Sequence, residues 1–137
     1  MRRIFHTAVV ALLAFGCTPR SQKPAPETNR VIEIGALSGR ASSDTLRLGV
    51  LHAGETVVQN MDILNAGDVP AVVTRTECGC ACLSLELDYS PLGPQERRTM
   101  KLTFDTGGLY GTVLRRADIY VAGEPKPYGL WIEADVR

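Results

Sequence analysis

From Val31 to Val136 apolar residues recur at every second position, in short runs separated by breaks rich in glycine, proline and asparagine. No run sustains the 3.6-residue period of a helix. Leu46, Leu48 and Val50 alternate with Arg47 and Gly49, and Val57, Gln59, Met61 and Ile63 share one face of the next run. Leu83, Leu85 and Leu87 alternate, as do Met100, Leu102 and Phe104. Val113, Ala117, Ile119 and Val121 follow on one face, and Leu130, Ile132, Ala134 and Val136 close the pattern. Strands patterned this way each have one face to bury. About seven of them within residues 30–137 predict an all-β, immunoglobulin-like β-sandwich.

The punctuation supports the same reading. Val31, Ile32 and Ile34 predict a short first strand, and 36–44 read as a Gly/Ser-rich connection. Ala53-Gly54-Glu55 and Gly123-Glu124-Pro125 turn the chain, and Ser90-Pro91-Leu92-Gly93-Pro94 breaks it. Asn65-Ala66-Gly67-Asp68 reads as a turn because Asn and Gly tolerate positive φ. Asp105-Thr106-Gly107-Gly108 reads as a hairpin turn rather than a calcium loop, since one carboxylate supplies too few ligands. Trp131 is expected to point away from Leu130 and Ile132, toward a second surface.

Ahead of this domain, Met1-Arg2-Arg3 is a short basic start and Ile4 to Phe15 is mostly apolar, too short for a stop-transfer helix. Ending on Leu13-Ala14-Phe15-Gly16-Cys17, the segment resembles a bacterial lipoprotein signal peptide. That resemblance implies cleavage of residues 1–16 and acylation of Cys17. Several acyl chains, at roughly 0.8 kcal/mol per buried methylene, make a lasting membrane anchor. Residues 17–29 then carry three prolines and no large apolar side chain, the composition of a flexible tether. The expected location is the cell envelope, with the outer membrane facing the periplasm favoured because Thr18 follows the cysteine.

Composition excludes some functions. The 15 basic and 15 acidic residues balance, so no basic footprint for nucleic acid exists. His52 is the one histidine outside the signal, which leaves little for nucleophile–histidine hydrolysis. Glu86 and Asp88 sit at outward strand positions, and Arg97-Arg98 and Arg115-Arg116 read as exposed strand charges that deter edge aggregation. Tyr110, Tyr120, Tyr128 and Trp131 offer either core mass or a binding patch. No small-molecule substrate is evident.

The chemistry, if any, lies in Glu77-Cys78-Gly79-Cys80-Ala81-Cys82. With Cys17 lipidated, three thiols remain, so one is unpaired within the chain or all three share a ligand. In a flat strand alternate cysteines lie about 6.6 Å apart, at the edge of the roughly 4.4–6.8 Å that a disulfide accepts. Gly79 would let the chain fold back for a Cys78–Cys80 bond. Three readings follow. One disulfide, Cys80–Cys82 or Cys78–Cys80, is structural and the third thiol is buried or pairs between molecules. Alternatively Cys78, Cys80 and Cys82 bind a soft metal, Cu(I) or Zn(II). Or a strained pair exchanges with partner disulfides, although no helix start is present to lower a thiol pKa.

Gly54-Glu55, the run Met61-Asp62-Ile63-Leu64-Asn65-Ala66-Gly67 with Pro70, Cys78-Gly79-Cys80, Phe104-Asp105 and Gly111 together resemble the bacterial domain-of-unknown-function family 1573. The resemblance spans about Leu46 to Val121 and implies an exported immunoglobulin-like sandwich of the hydin and major-sperm-protein type. Two departures stand out: Ala81 leads into an extra Cys82, and Gly93-Pro94-Gln95-Glu96 replaces a Pro-Gly-Glu turn. The expectation is a non-enzymatic, lipid-anchored envelope module without a cofactor, structural or binding an envelope protein. A periplasmic thiol or metal protein is the alternative.

Overall fold

The structure, a computed structural model, describes residues 30–35 and 43–137. The signal segment, Cys17, the tether and most of the 36–44 connection lie outside the described residues. Among the described residues eight strands form: β1 (Arg30–Ile34), β2 (Ser43–Leu51), β3 (Thr56–Asn65), β4 (Val73–Cys78), β5 (Leu83–Glu86), β6 (Arg97–Asp105), β7 (Gly111–Val121) and β8 (Tyr128–Val136). They make two four-stranded sheets, β1-β3-β6-β5 and β2-β8-β7-β4. The pairs β1–β3 and β2–β8 are parallel, whereas β3–β6, β5–β6, β7–β8 and β4–β7 are antiparallel.

Period-2 patterning builds the core. Ile32, Met61, Ile63, Leu102 and Phe104 from one sheet and Ile119, Leu130 and Ile132 from the other have no exposed area. Burying each such side chain contributes about 1.5–3 kcal/mol. The alternation of β2 breaks where its pairing with β8 shifts register between Arg47 and Gly49, with Gly49 at φ 77°. Leu46 is therefore 7% exposed and Val50 59%, and Leu51 returns to the core. The simple alternation expected of Leu46, Leu48 and Val50 fails there because the bulge turns the strand over.

Only β5–β6 and β7–β8 are consecutive strands within one sheet; the other connections cross between sheets. Asp105-Thr106-Gly107-Gly108 is accordingly a crossover between β6 and β7, not a hairpin turn. Its Thr106 hydroxyl, fully buried, donates to the carbonyls of His52 and Glu55 at 2.8 Å each. The 52–55 turn is thereby fastened to the 105–108 turn at one end of the sandwich. Trp131 points outward from β8, as the alternation predicts, and the Arg116 guanidinium lies 5.3 Å from its ring centre.

Candidate functional site

The cysteine stretch carries the chain from the edge of one sheet to the edge of the other. Cys78 is the last residue of β4 and Leu83 the first of β5, so 79–82 form the crossover. The Gly79 amide donates to the Arg116 carbonyl at 2.8 Å, on the β7 side. The Asp105 amide donates to the Cys82 carbonyl at 2.8 Å, on the β6 side. Between these ties Cys80 and Cys82 are joined by a disulfide with a Cα–Cα distance of 5.2 Å, and Cys78 keeps a free thiol. The three cysteines do not share one flat strand face, because β4 stops at Cys78 and the chain bends at once.

Gly79 serves a different purpose from the one its sequence setting implied. It is not among the residues at positive φ, and a Cβ there would stand 3.1 Å from the Arg116 carbonyl oxygen. Close approach to β7, rather than a left-handed turn, is what requires glycine. All three cysteines are half-buried and pack against the core. Burial pushes the Cys78 thiol up from the ordinary cysteine range, and the backbone amide of Leu85 offsets part of that shift. With two sulfurs joined, the trio in this form does not present three thiolates to a metal, and among the described residues no group of three His, Cys, Asp or Glu side chains is arranged to hold one.

The opposite end of the sandwich is organised by Asn65, which is fully buried. Its Nδ2 donates to the carbonyls of Val69 at 2.8 Å, Leu92 at 3.0 Å and Gly93 at 3.1 Å, and its Oδ1 accepts the Gly67 amide at 3.0 Å. The amide of Ala66 donates to the Ile34 carbonyl at 2.8 Å. Neither Asn65 nor Gly67 is at positive φ. The Asn-Ala-Gly stretch is thus not a left-handed turn but a side-chain hub, and Gly67 lacks a Cβ because the Gly35 carbonyl occupies that space.

Arg98 also departs from expectation. It shares the core-facing side of β6 with Met100, Leu102 and Phe104, and its side chain is only 18% exposed. Its guanidinium donates to the carbonyls of Asp88 at 3.2 Å, Ser90 at 2.5 Å and Pro91 at 3.2 Å, clamping the 88–91 loop. It is a structural clamp rather than a free strand charge. Glu86 pairs with Lys101 at 2.7 Å, and Asp88 accepts the Ser90 amide at 2.9 Å.

The four aromatic residues do not gather into one patch. Tyr128 is buried, and burial pushes its hydroxyl up to about 12, with Asp44 adding to the shift. Tyr110 is 76% exposed on the 105–111 connection. Tyr120 and Trp131 share the outer face of the second sheet, each beneath an arginine: Arg75 stands 3.6 Å from the Tyr120 ring centre, and Arg116 covers Trp131. Both arginines are already paired, Arg75 with Glu77 at 2.9 Å and Arg116 with Asp118 at 2.7 Å. Sequence reasoning missed the pairing of Arg30 with Asp44, which holds β1 to β2 through contacts of 2.9 and 2.6 Å. No local spacing signals it. For Arg98 the signal was available, since it falls two residues before Met100 on the core side.

Two facing four-stranded sheets with repeated crossovers define an immunoglobulin-like or PapD-like sandwich. The profile of the family described as protein of unknown function DUF1573 matches residues 40–136, and the chain belongs to that family. Comparison with curated proteins returns no match. Among solved structures it is similar to a protein of unknown function from Porphyromonas gingivalis W83, at 18% identity and TM-score 0.58, covering 73% of this chain and 50% of that one. It is also similar to the VesB protease of Vibrio cholerae, at 19% identity and TM-score 0.55, covering 68% of this chain and 30% of that one. A PapD-like domain of human CEP192 aligns at 13% identity and TM-score 0.50, covering 96% of this chain and 97% of that domain. The chain thus spans half or less of the first two proteins it matches, and at these identities the likeness concerns the fold alone.

Proposed function

We propose that this chain is a non-enzymatic module of the bacterial cell envelope, anchored by lipid at Cys17 on the outer membrane facing the periplasm, that binds another envelope protein. The observation that carries this reading is the use of the cysteine stretch. Two of its sulfurs are bonded to each other, the third packs against the core, and the loop's amide and carbonyl groups tie β7 to β6. A stretch used to lock a crossover supports a rigid binding scaffold better than a reaction centre. The signal-like N-terminus and the proline-rich 17–29 segment support a domain held away from the membrane.

The alternative is a thiol protein that binds Cu(I) or Zn(II), or exchanges disulfides, through Cys78, Cys80 and Cys82. What favours it is a free thiol placed two residues from a disulfide. What opposes it is the upward displacement of that thiol's pKa, which reduces the thiolate fraction needed for attack. The test is the intact mass, metal content and thiol count of the chain purified from the envelope. A Cys17-dependent lipid mass, one disulfide, one thiol and no metal is the expected result. Stoichiometric metal on three reduced thiols would replace the scaffold reading with the alternative.

A further inference from the structure

The four edge strands are not equivalent. The edge of β2 is broken by its bulge at Arg47 and Gly49, which blunts pairing with another strand. The edges of β4 and β5 are joined by the cysteine crossover, and a 3.1 Å hydrogen bond between the Thr76 and Tyr89 hydroxyls ties β4 to the loop that follows β5. That leaves the side of the first sheet where β1 lies. The family match begins at residue 40, beyond β1, so the matched part of the domain ends its first sheet at β3.

The β3 edge is shaped to receive an extended segment. Ile32 lies beside Ile63, and Ile34 beside Asn65, with both isoleucines completely buried. At the far end the Ala66 amide donates to the Ile34 carbonyl, and the absent Cβ of Gly67 makes room for the Gly35 carbonyl. A Cβ on Gly35 would in turn collide with Asn65 Oδ1. The edge therefore reads two apolar side chains at alternate positions and a glycine immediately after the second. Main-chain pairing supplies affinity in such strand addition, and alternate side-chain pockets supply selectivity.

We propose that the β3 edge from Met61 to Gly67 is a binding slot for an extended strand of a partner protein with the pattern apolar-x-apolar-Gly, and that residues 32–35 are its built-in occupant. This rests on the reading of the chain as a protein-binding module and names the surface and the partner's chemistry. A tethered occupant competes at roughly millimolar local concentration. An intact chain should therefore bind a free peptide more weakly than one whose occupant has been cut loose, by the roughly 100-fold or more that such linkage supplies.

The test uses the full chain with a protease site inserted between Gly39 and Arg40, cut in the native state, and a fluorescent peptide with the sequence of Arg30–Gly35. The expected result is one-to-one uptake of peptide by the cut chain with release of its own segment. The same peptide carrying Ile32→Asp and Ile34→Asp should fail to compete. Exchange no faster than global unfolding, or equal uptake of the substituted peptide, would overturn the slot. If the cut chain unfolds on losing its segment, intact I32D/I34D chain supplies the second measurement: recovery of Trp131 fluorescence on adding wild-type peptide supports the slot, and no recovery overturns it. A dimer in which two intact chains trade residues 30–35 would make the occupant a second copy and overturn the assignment to a partner. Because a synthetic peptide is the probe, the outcome does not depend on capturing an envelope protein, which tests the wider proposal separately.

Discussion

Replacing Asn65 by alanine and by aspartate separates a hydrogen-bonding hub from an ordinary turn. Alanine removes the three contacts to the Val69, Leu92 and Gly93 carbonyls and the one from the Gly67 amide. Each is worth about 1 kcal/mol net, with more at stake where a buried partner is left unsatisfied. The Leu92 carbonyl keeps the Ala71 amide and the Gly93 carbonyl keeps the Glu96 amide, which limits the loss to about 2–4 kcal/mol. In a domain of this size that lowers Tm by about 10–20 °C. Aspartate of the same shape is worse, because an acceptor then faces three carbonyl oxygens. A buried carboxyl so placed takes a raised pKa, so the folded state holds its proton above the unfolded value of about 4. The N65D domain should therefore lose stability as pH rises from about 4 toward neutrality. Urea unfolding of wild type, N65A and N65D at pH 3.5 and pH 7 reads all of this. Losses under about 1 kcal/mol in both variants, or an N65D deficit that does not grow with pH, would refute the hub.

Asp44 is held below the usual carboxylate range chiefly by its hydrogen bonds from Arg30. The depressed pKa stabilises the fold above about pH 4 and that gain vanishes as pH falls through the folded value. Since both side chains are about a third exposed, screening limits the pair to about 1 kcal/mol at most. Urea titrations should show D44N less stable than wild type at pH 6, with the difference shrinking as pH falls through the carboxylate range. Arg98→Lys should keep the charge but lose the planar fork that spans the Asp88, Ser90 and Pro91 carbonyls. A loss of about 1–2 kcal/mol is expected, with faster amide exchange confined to residues 87–94. Alkylation of the chain from Thr18 onward should add one group before reduction and three after it. Because burial raises the Cys78 pKa, its labelling should accelerate only above the pH range of an ordinary free thiol, and two labels without reduction would contradict the observed connectivity.

Strand existence was legible from sequence wherever one residue meant one step along a regular strand. Met100, Leu102 and Phe104 on β6 and Leu130, Ile132, Ala134 and Val136 on β8 all face the core as alternation requires. The pattern failed at Val50 because a bulge inserts one residue, and period-2 reasoning has no memory of an insertion. Pairing was not legible at all: nothing local in Val31, Ile32 and Ile34 says that their partner is β3 or that they run parallel to it. The cysteine stretch stands out in the sequence, but what it does in the fold depends on β4 and β5 belonging to different sheets, a fact of topology.

Asn65 and Gly79 show why motif residues mislead when read by conformational preference alone. Both occur in settings where a left-handed backbone is the ordinary explanation, and neither adopts one. Each is demanded instead by something distant in sequence: the carbonyls of Leu92 and Gly93 for Asn65, and the carbonyl of Arg116 for Gly79. The same logic applies to Gly67, whose missing Cβ is required by Gly35, a residue ahead of the matched family region. A glycine required by local backbone geometry would be indifferent to what lies against β3. One required by an approaching strand carries information about that strand, and this is why the slot, rather than the turn, is the sharper description of Asn65-Ala66-Gly67.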